Sequence, residues 1–197
     1  MVTFKTGATY LGEWVGDKPD GFGVKTYADG NRYEGEFRNG LMHGYGKWFY
    51  NDRSQWHGDT YEGDWKDDEM TGRGVYRWAD GRVYEGGYLE AKKHGLGWYK
   101  YADGNSYYGE WSNDKEHGFG ILLWKDGSEH DGAVYVGQFR DSMAEGEGVY
   151  FYPDGRRYQG PYKGDNQHGV GVFTYAGKKV KELWENGEEK QVLETWD

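Results

Sequence analysis

The sequence predicts an all-β fold: an elongated, single-layer, twisted antiparallel sheet built from tandem 23-residue β-hairpin repeats. Three observations carry this. One pattern, Tyr-x-Gly-x-aromatic, six variable residues, then Gly-x-Gly-x-x-x-aromatic, returns along nearly all of the 197 residues. Each copy contains two short runs that alternate with period two, as paired strands do. Of the 35 glycines, 21 occupy fixed places in the pattern, among 10 Trp, 19 Tyr and 8 Phe.

The array reads as residues 1–177. Residues 1–9 are a half repeat, because Phe4 and Gly7 precede Tyr10 as Tyr27 and Gly30 precede Tyr33. Seven copies follow, starting at Tyr10, Tyr33, Tyr61, Tyr84, Tyr107, Tyr135 and Tyr158, at spacings of 23, 28, 23, 23, 28 and 23. Two links therefore carry five extra residues, at Asn51 to Thr60 and Lys125 to Val134, and both should project from the same edge. Residues 178–197 read as a degenerate C-terminal cap. Val180, Trp184 and Gly187 echo the first half of a copy without its Gly-x-Gly half, and a terminal unit has one neighbour instead of two.

Within a copy, Tyr10, Gly12 and Trp14 share one face of the first strand, with Leu11 and Glu13 on the other. The links Ala28-Asp29-Gly30, Ala79-Asp80-Gly81, Ala102-Asp103-Gly104 and Pro153-Asp154-Gly155 predict type I turns with a bulge, which make consecutive strands antiparallel neighbours. Pairing Tyr27 with Tyr33 sets Gly23 opposite Phe37 and Lys25 opposite Gly35; pairing Trp14 with Gly21 sets Gly12 opposite Gly23, a register that a one-residue bulge would shift. Glycine inside a strand has a reason here: a large ring can lie across a neighbour only if that neighbour has no side chain. Seven two-stranded units at ~4.8 Å per strand give a ribbon roughly 70 Å long.

Charge and composition exclude several classes. With 24 Lys plus Arg against 34 Asp plus Glu, the formal charge of −10 opposes nucleic acid as a partner and disfavours an anionic membrane. Cys is absent, so there is no thiolate site or disulfide. The longest apolar run is Ile121 to Trp124, and no Asn-x-Ser/Thr acceptor occurs, which suits a cytosolic chain. The Gly-x-Gly strings belong to the repeat and introduce no helix, so they carry no phosphate chemistry. No Ser stands in a Gly-x-Ser-x-Gly context, and repeat histidines ~10 Å apart cannot share a metal. His130 with Asp126 and Asp131 falls short of a full cation-ligand series. No catalytic residue, metal or cofactor is expected.

The strings Tyr-x-Gly-x-Trp, His-Gly-x-Gly and Asp-Gly-x-x-Tyr resemble the MORN (membrane occupation and recognition nexus) repeat family over nearly all of residues 1–187. Asp20, Thr71 and Glu145 replace the His found at His43, His94, His117 and His168, and Gly87-Tyr88 replaces the usual acid-Trp. The resemblance implies a single-layer curved sheet whose aromatic groove receives a peptide or helix. It also implies settings such as ciliary and flagellar axonemes, radial spoke heads and cytoskeletal scaffolds, or attachment to an enzyme as its regulatory region.

Since the repeated rings serve the sheet, specificity should lie in positions that vary. The residue two after each Gly pair is such a position, and Trp48, Tyr76, Tyr99, Tyr150 and Phe173 are expected to floor a partner-binding groove. Glu34, Glu62, Glu85 and Glu110, alternating onto the opposite face of the sheet, would give an acidic surface beside the groove that selects a basic or amphipathic segment of a cytoskeletal or axonemal protein. Expected is a cytoplasmic, cytoskeleton-associated scaffold, in a cilium or flagellum axoneme first. The alternatives are a peripheral membrane or phosphoinositide-binding module, suggested by Lys92-Lys93, Arg156-Arg157 and Lys178-Lys179, and a regulatory region of a larger enzyme. Unpaired strand edges would also permit a homodimer.

Overall fold

The computed structural model describes residues 1–125 and 127–196. It is all-β, with eighteen strands and no helix among the described residues. The chain divides into two units, Met1–Gly95 and Leu96–Asp197. In the first, β1 (Val2–Thr3) leads into the hairpins β2 (Thr9–Val15) with β3 (Lys18–Thr26), β4 (Arg32–Arg38) with β5 (Leu41–Phe49), and β6 (Thr60–Lys66) with β7 (Glu69–Arg77), then β8 (Val83–Leu89). The boundary falls within β9 (Lys92–Lys100). The second holds β10 (Ser106–Ser112) with β11 (Lys115–Leu123), β12 (Val134–Arg140) with β13 (Met143–Phe151), and β14 (Arg157–Lys163) with β15 (Asn166–Gln167) and β16 (Gly169–Tyr175). It ends in β17 (Lys178–Glu185) paired with β18 (Glu188–Trp196), so the segment read as a cap is itself a hairpin.

Two turn types alternate. Between hairpins, Gly30 N–H donates to the Tyr27 carbonyl and Tyr27 N–H to Asn31, with Gly30 at φ +89°: a type I turn with its bulge, as expected from Ala-Asp-Gly. Within hairpins from the second onward the turn is a two-residue type I′, both residues left-handed, as at Asn39-Gly40 (φ 52° and 87°) and Glu90-Ala91 (φ 51° and 58°), whereas in Gly16-Asp17 only Gly16 (φ 62°) is left-handed. Several of these turns are tied to the preceding hairpin. Gly40 N–H reaches the Pro19 carbonyl, Asp68 reaches Met42, Ala91 reaches Met70 and Asp165 reaches Ala144.

The register differs from expectation. Because the three-residue turn closes on Tyr27 and Asn31, Lys25 stands opposite Tyr33 and Gly23 opposite Gly35, not opposite Gly35 and Phe37. Gly12 does face Gly23, but Trp14 faces Pro19 rather than Gly21, since a bulge intervenes between Gly12 and Trp14. The same bulge recurs after Gly35, Gly63, Gly109 and Gly137. The two glycines of each Gly-x-Gly thus have different duties. The first sits in the bulge at positive φ, as at Gly44 (φ 60°) and Gly118 (φ 60°). The second lies beneath a ring: a Cβ on Gly23 would stand 2.6 Å from Cε2 of Tyr10.

These vacancies build the ladder. The seven repeat tyrosines each donate the phenol proton to the carbonyl three residues on, from Tyr10 to Glu13 (3.0 Å) through Tyr158 to Pro161 (3.3 Å). Tyr33 meets Phe37 of its own repeat and Trp65 of the next edge-on, at 5.0 and 5.4 Å, and Tyr135 does the same between Phe139 and Tyr162. Tyr33, Tyr84, Tyr107 and Tyr158 are fully buried, so in each unit one layer of strands carries its core on one face.

Candidate functional site

The groove-floor positions share the ladder face, because Trp48 stands directly opposite Tyr33 and Tyr61, and Tyr150 opposite Tyr135 and Tyr158. In the first unit they join the strand-end aromatics in a continuous run of rings. Tyr27 lies 5.0 Å from Trp48, Trp48 lies 5.9 Å from Tyr50, Tyr50 lies 6.3 Å from Tyr76, and Tyr76 lies 4.4 Å from Trp78. The second unit has its own run, Trp124 to Tyr150 (5.4 Å), Tyr150 to Tyr152 (4.6 Å) and Tyr152 to Phe173 (5.8 Å), with Tyr99 against Tyr101 and Trp111. Trp48, Tyr150 and Phe173 are half-buried, whereas Tyr76 and Tyr99 are buried.

The five-residue insertions supply further rings: Trp56, which the sequence did not single out, and His130, which was considered from sequence only as a cation ligand. Trp56 reaches back to within 5.6 Å of Tyr50, and His130, 74 residues later, stands 6.3 Å from Trp124 and bonds the Tyr150 hydroxyl through Nδ1 (3.1 Å). Asp59 closes the first insertion from inside. It is 5% exposed, accepts the Tyr76 hydroxyl at 2.9 Å and accepts Ala79 N–H at 2.9 Å. Asp126 lies outside the described residues.

The four predicted glutamates are not beside these rings. Alternation puts Glu34, Glu62, Glu85 and Glu110 on the opposite face, and most are engaged there. Glu34 pairs with Arg32, and Glu110 accepts Phe119 N–H at 2.9 Å across the bulge. Glu62 accepts the Tyr45 hydroxyl (3.0 Å) and pairs with Lys47 (3.3 Å); the Tyr45 hydrogen bond, then Lys47, hold its carboxyl below the usual range.

The acids that do reach the ladder face come from the type I′ turns and the strand starts after them. Asp68 accepts Met42 N–H (2.8 Å), Asp165 accepts Ala144 N–H (2.7 Å), and Glu116 takes the Tyr101 hydroxyl (2.5 Å). Burial, reinforced by Asp68 at Tyr27 and by Glu116 at Tyr101, pushes both phenols well above their ordinary range, so they remain hydrogen-bond donors at neutral pH. The only sequence signal for this edge was the recurrent Asp within the six variable residues.

Cations already sit on the rings. Lys25 Nζ lies 4.7 Å over Tyr27, and the guanidinium groups of Arg82 and Arg156 lie 5.0 Å over Trp78 and 4.7 Å over Tyr152. In the second unit the ladder face opens into a cleft of about 380 Å³ lined by Leu122, Trp124, Tyr150, Tyr152, Ala144 and Asp165, together with His130 and Gln167.

Similar proteins come from two directions. Human Alsin is 46% identical over 76 residues, 39% of this chain and 5% of Alsin; mouse Alsin matches equally, and the human ALS2 C-terminal-like protein is 34% identical over 76 residues, 8% of its length. The chain therefore spans only a small part of these relatives. Among solved structures, the TCP10 domain of Danio rerio CPAP matches with a TM-score of 0.49 at 12% identity, covering 99% of this chain and 98% of that one. The SAS-4 TCP domain of Drosophila melanogaster, solved in complex with a proline-rich motif of Ana2, matches at 0.46 and 14%, covering 98% and 95%. The MORN repeat family model matches residues 10–32, 33–55, 61–81, 84–106, 107–129, 135–156 and 158–178. These matches span most of the chain, repeat after repeat, and the chain belongs to the MORN repeat family.

Proposed function

We propose that this chain is a non-enzymatic protein-interaction scaffold that takes a basic, amphipathic partner segment on its ladder face. The observation that carries the reading is the run of rings, most of them partly exposed, from Tyr27 to Trp78, and again from Trp124 to Phe173, edged by Asp68, Glu116 and Asp165. Rings offer contact area at low entropic cost, and flanking carboxylates favour a cationic segment and speed its encounter. The setting we propose is a cytoskeleton-associated assembly in the cytoplasm, a ciliary or flagellar axoneme first.

The test compares partner capture, with identification of the bound protein, by the wild-type chain and by Trp48→Ala with Tyr76→Ala and Tyr150→Ala. Replacing Glu34 and Glu62 by Gln serves as the opposite-face control. The ring variants should keep their circular dichroism and lose the partner, while the control keeps it; capture that survives loss of the rings would sink the reading. A second reading, a regulatory region within a larger protein, is favoured by the Alsin relatives, of which the matched segment is only 5%. A catalytic domain encoded in the same reading frame would support it.

A further inference from the structure

The cleft in the second unit exists because two repeat positions are filled by small or slender residues. The position that carries Met42 and Met70 in the first unit carries Ala144 here, and the position of Trp48 and Tyr76 carries Leu122. Met42 stands opposite Phe37 as Ala144 stands opposite Phe139, so the backbone setting is the same and a side chain is missing. Trp124, Tyr150 and Tyr152 wall the space, and Asp165 also lines it, with one carboxylate oxygen accepting Ala144 N–H.

We propose that this cleft is the anchor pocket for an arginine side chain of the partner segment, a step that rests on the ladder-face reading and specifies its chemistry. Four features select a guanidinium. The wall is aromatic, which suits both the aliphatic stem and the planar cation. Arg156 and Arg82 show rings of this row accepting guanidinium groups from within the chain. Trp124 takes the place of Trp78 and Tyr152, but Ser128 stands in the sequence where those rings have Arg82 and Arg156, and the Trp124 ring meets His130 and Tyr150. Asp165 in the lining supplies the countercharge, in a protein of net charge −10 that repels acidic segments.

The probe is N-acetyl-arginine amide, compared with its uncharged isostere N-acetyl-citrulline amide and with N-acetyl-norleucine amide. The readout is the indole N–H resonance of Trp124, assigned with Trp124→Phe. The arginine compound should shift that resonance saturably and bind at least about fivefold more tightly than either control. Asp165→Asn retains an acceptor for Ala144 N–H and tolerates the left-handed turn, and it should reduce arginine binding to the citrulline level. Ala144→Met should abolish the shift, and Leu122→Tyr fills the same space should the first variant not fold. Norleucine binding as tightly as arginine, or an arginine shift unchanged by both filling variants, would overturn the proposal. Partner capture separates this from the broader reading. If the ring variants lose the partner but a folded filling variant keeps it at full strength, the arginine anchor falls alone. If neither loses it, the groove falls too.

Discussion

At the scale of single residues, the fold rests on a phenol ring lying over a glycine. A Cβ on Gly46 would stand 2.5 Å from Cε2 of Tyr33, with backbone beneath and Trp65 and Phe37 on either side, so neither partner can retreat. Gly46→Ala should cost about 1–3 kcal/mol or more, the range for overpacking a filled core. Gly81→Ala, left-handed at φ +92° but in open space, should cost only about 1 kcal/mol. Urea midpoints with unchanged slopes would check the order, and equal costs would remove the ring as the cause. Burial is the main reason that Tyr33, Tyr61, Tyr107 and Tyr135 ionise far above the ordinary phenol range and that Tyr158 is pushed up to about 12. The sign follows directly. Below pH about 10 both folded and unfolded chains keep these protons; above it the unfolded chain loses them first, so stability falls as pH rises toward the folded values, by about 1.4 kcal/mol per pH unit per tyrosine. In an alkaline titration the phenolate absorbance of the ladder should appear together with loss of the strand signal in circular dichroism. Phenolate forming fully in an intact sheet would contradict it.

At the scale of elements, hairpin geometry is set by turns whose sequences differ widely. Asn39-Gly40 announces a type I′ turn, but Glu90-Ala91 adopts the same left-handed pair at φ 51° and 58° with residues that resist it. Replacing Glu90-Ala91 by Asn-Gly should stabilise the chain by about 1–2 kcal/mol, because the backbone bond from residue 91 to Met70 is kept and only strain is removed. An unchanged or lowered denaturation midpoint would count against strain there. This turn also shows where sequence reading stops. Period, strand alternation, ring positions and the Asp-Gly turns were legible because every copy repeats them. The place of the bulge was not, since it depends on the first glycine of each pair taking positive φ, and nothing in Gly-x-Gly says which glycine bends and which lies under a ring. Without the bulge the strand register shifts by two residues, which preserves the faces but misplaces the partners. The floor residues Trp48, Tyr76, Tyr99, Tyr150 and Phe173 were therefore put on the correct face. The acids flanking them were not found, because Asp68 and Asp165 reach the groove only through the turn.

At the scale of the whole molecule, stability is a sum over neighbours. Within each unit strands pair with those next to them in sequence, save where the short β15 lets β14 reach β16, and each ladder ring is held by aromatics of its own repeat and the next. Among the described residues no second layer spreads a defect across a unit. A lesion should therefore be felt strongly in its own hairpin and progressively less with each repeat. Gly148→Ala drives a Cβ to 2.5 Å from the Tyr135 ring, which is itself packed edge-on against Phe139 and Tyr162. Amide hydrogen exchange should rise most in β12 and β13, less in β11 and β14, and least in the amides of β2 to β5, whose pairing and ring contacts all lie within the first unit. A uniform rise from β2 to β17 would instead mean that the array unfolds as one cooperative body. In that case partner binding at one cleft would stabilise every repeat equally, whereas the nearest-neighbour picture confines that protection to repeats beside the occupied groove.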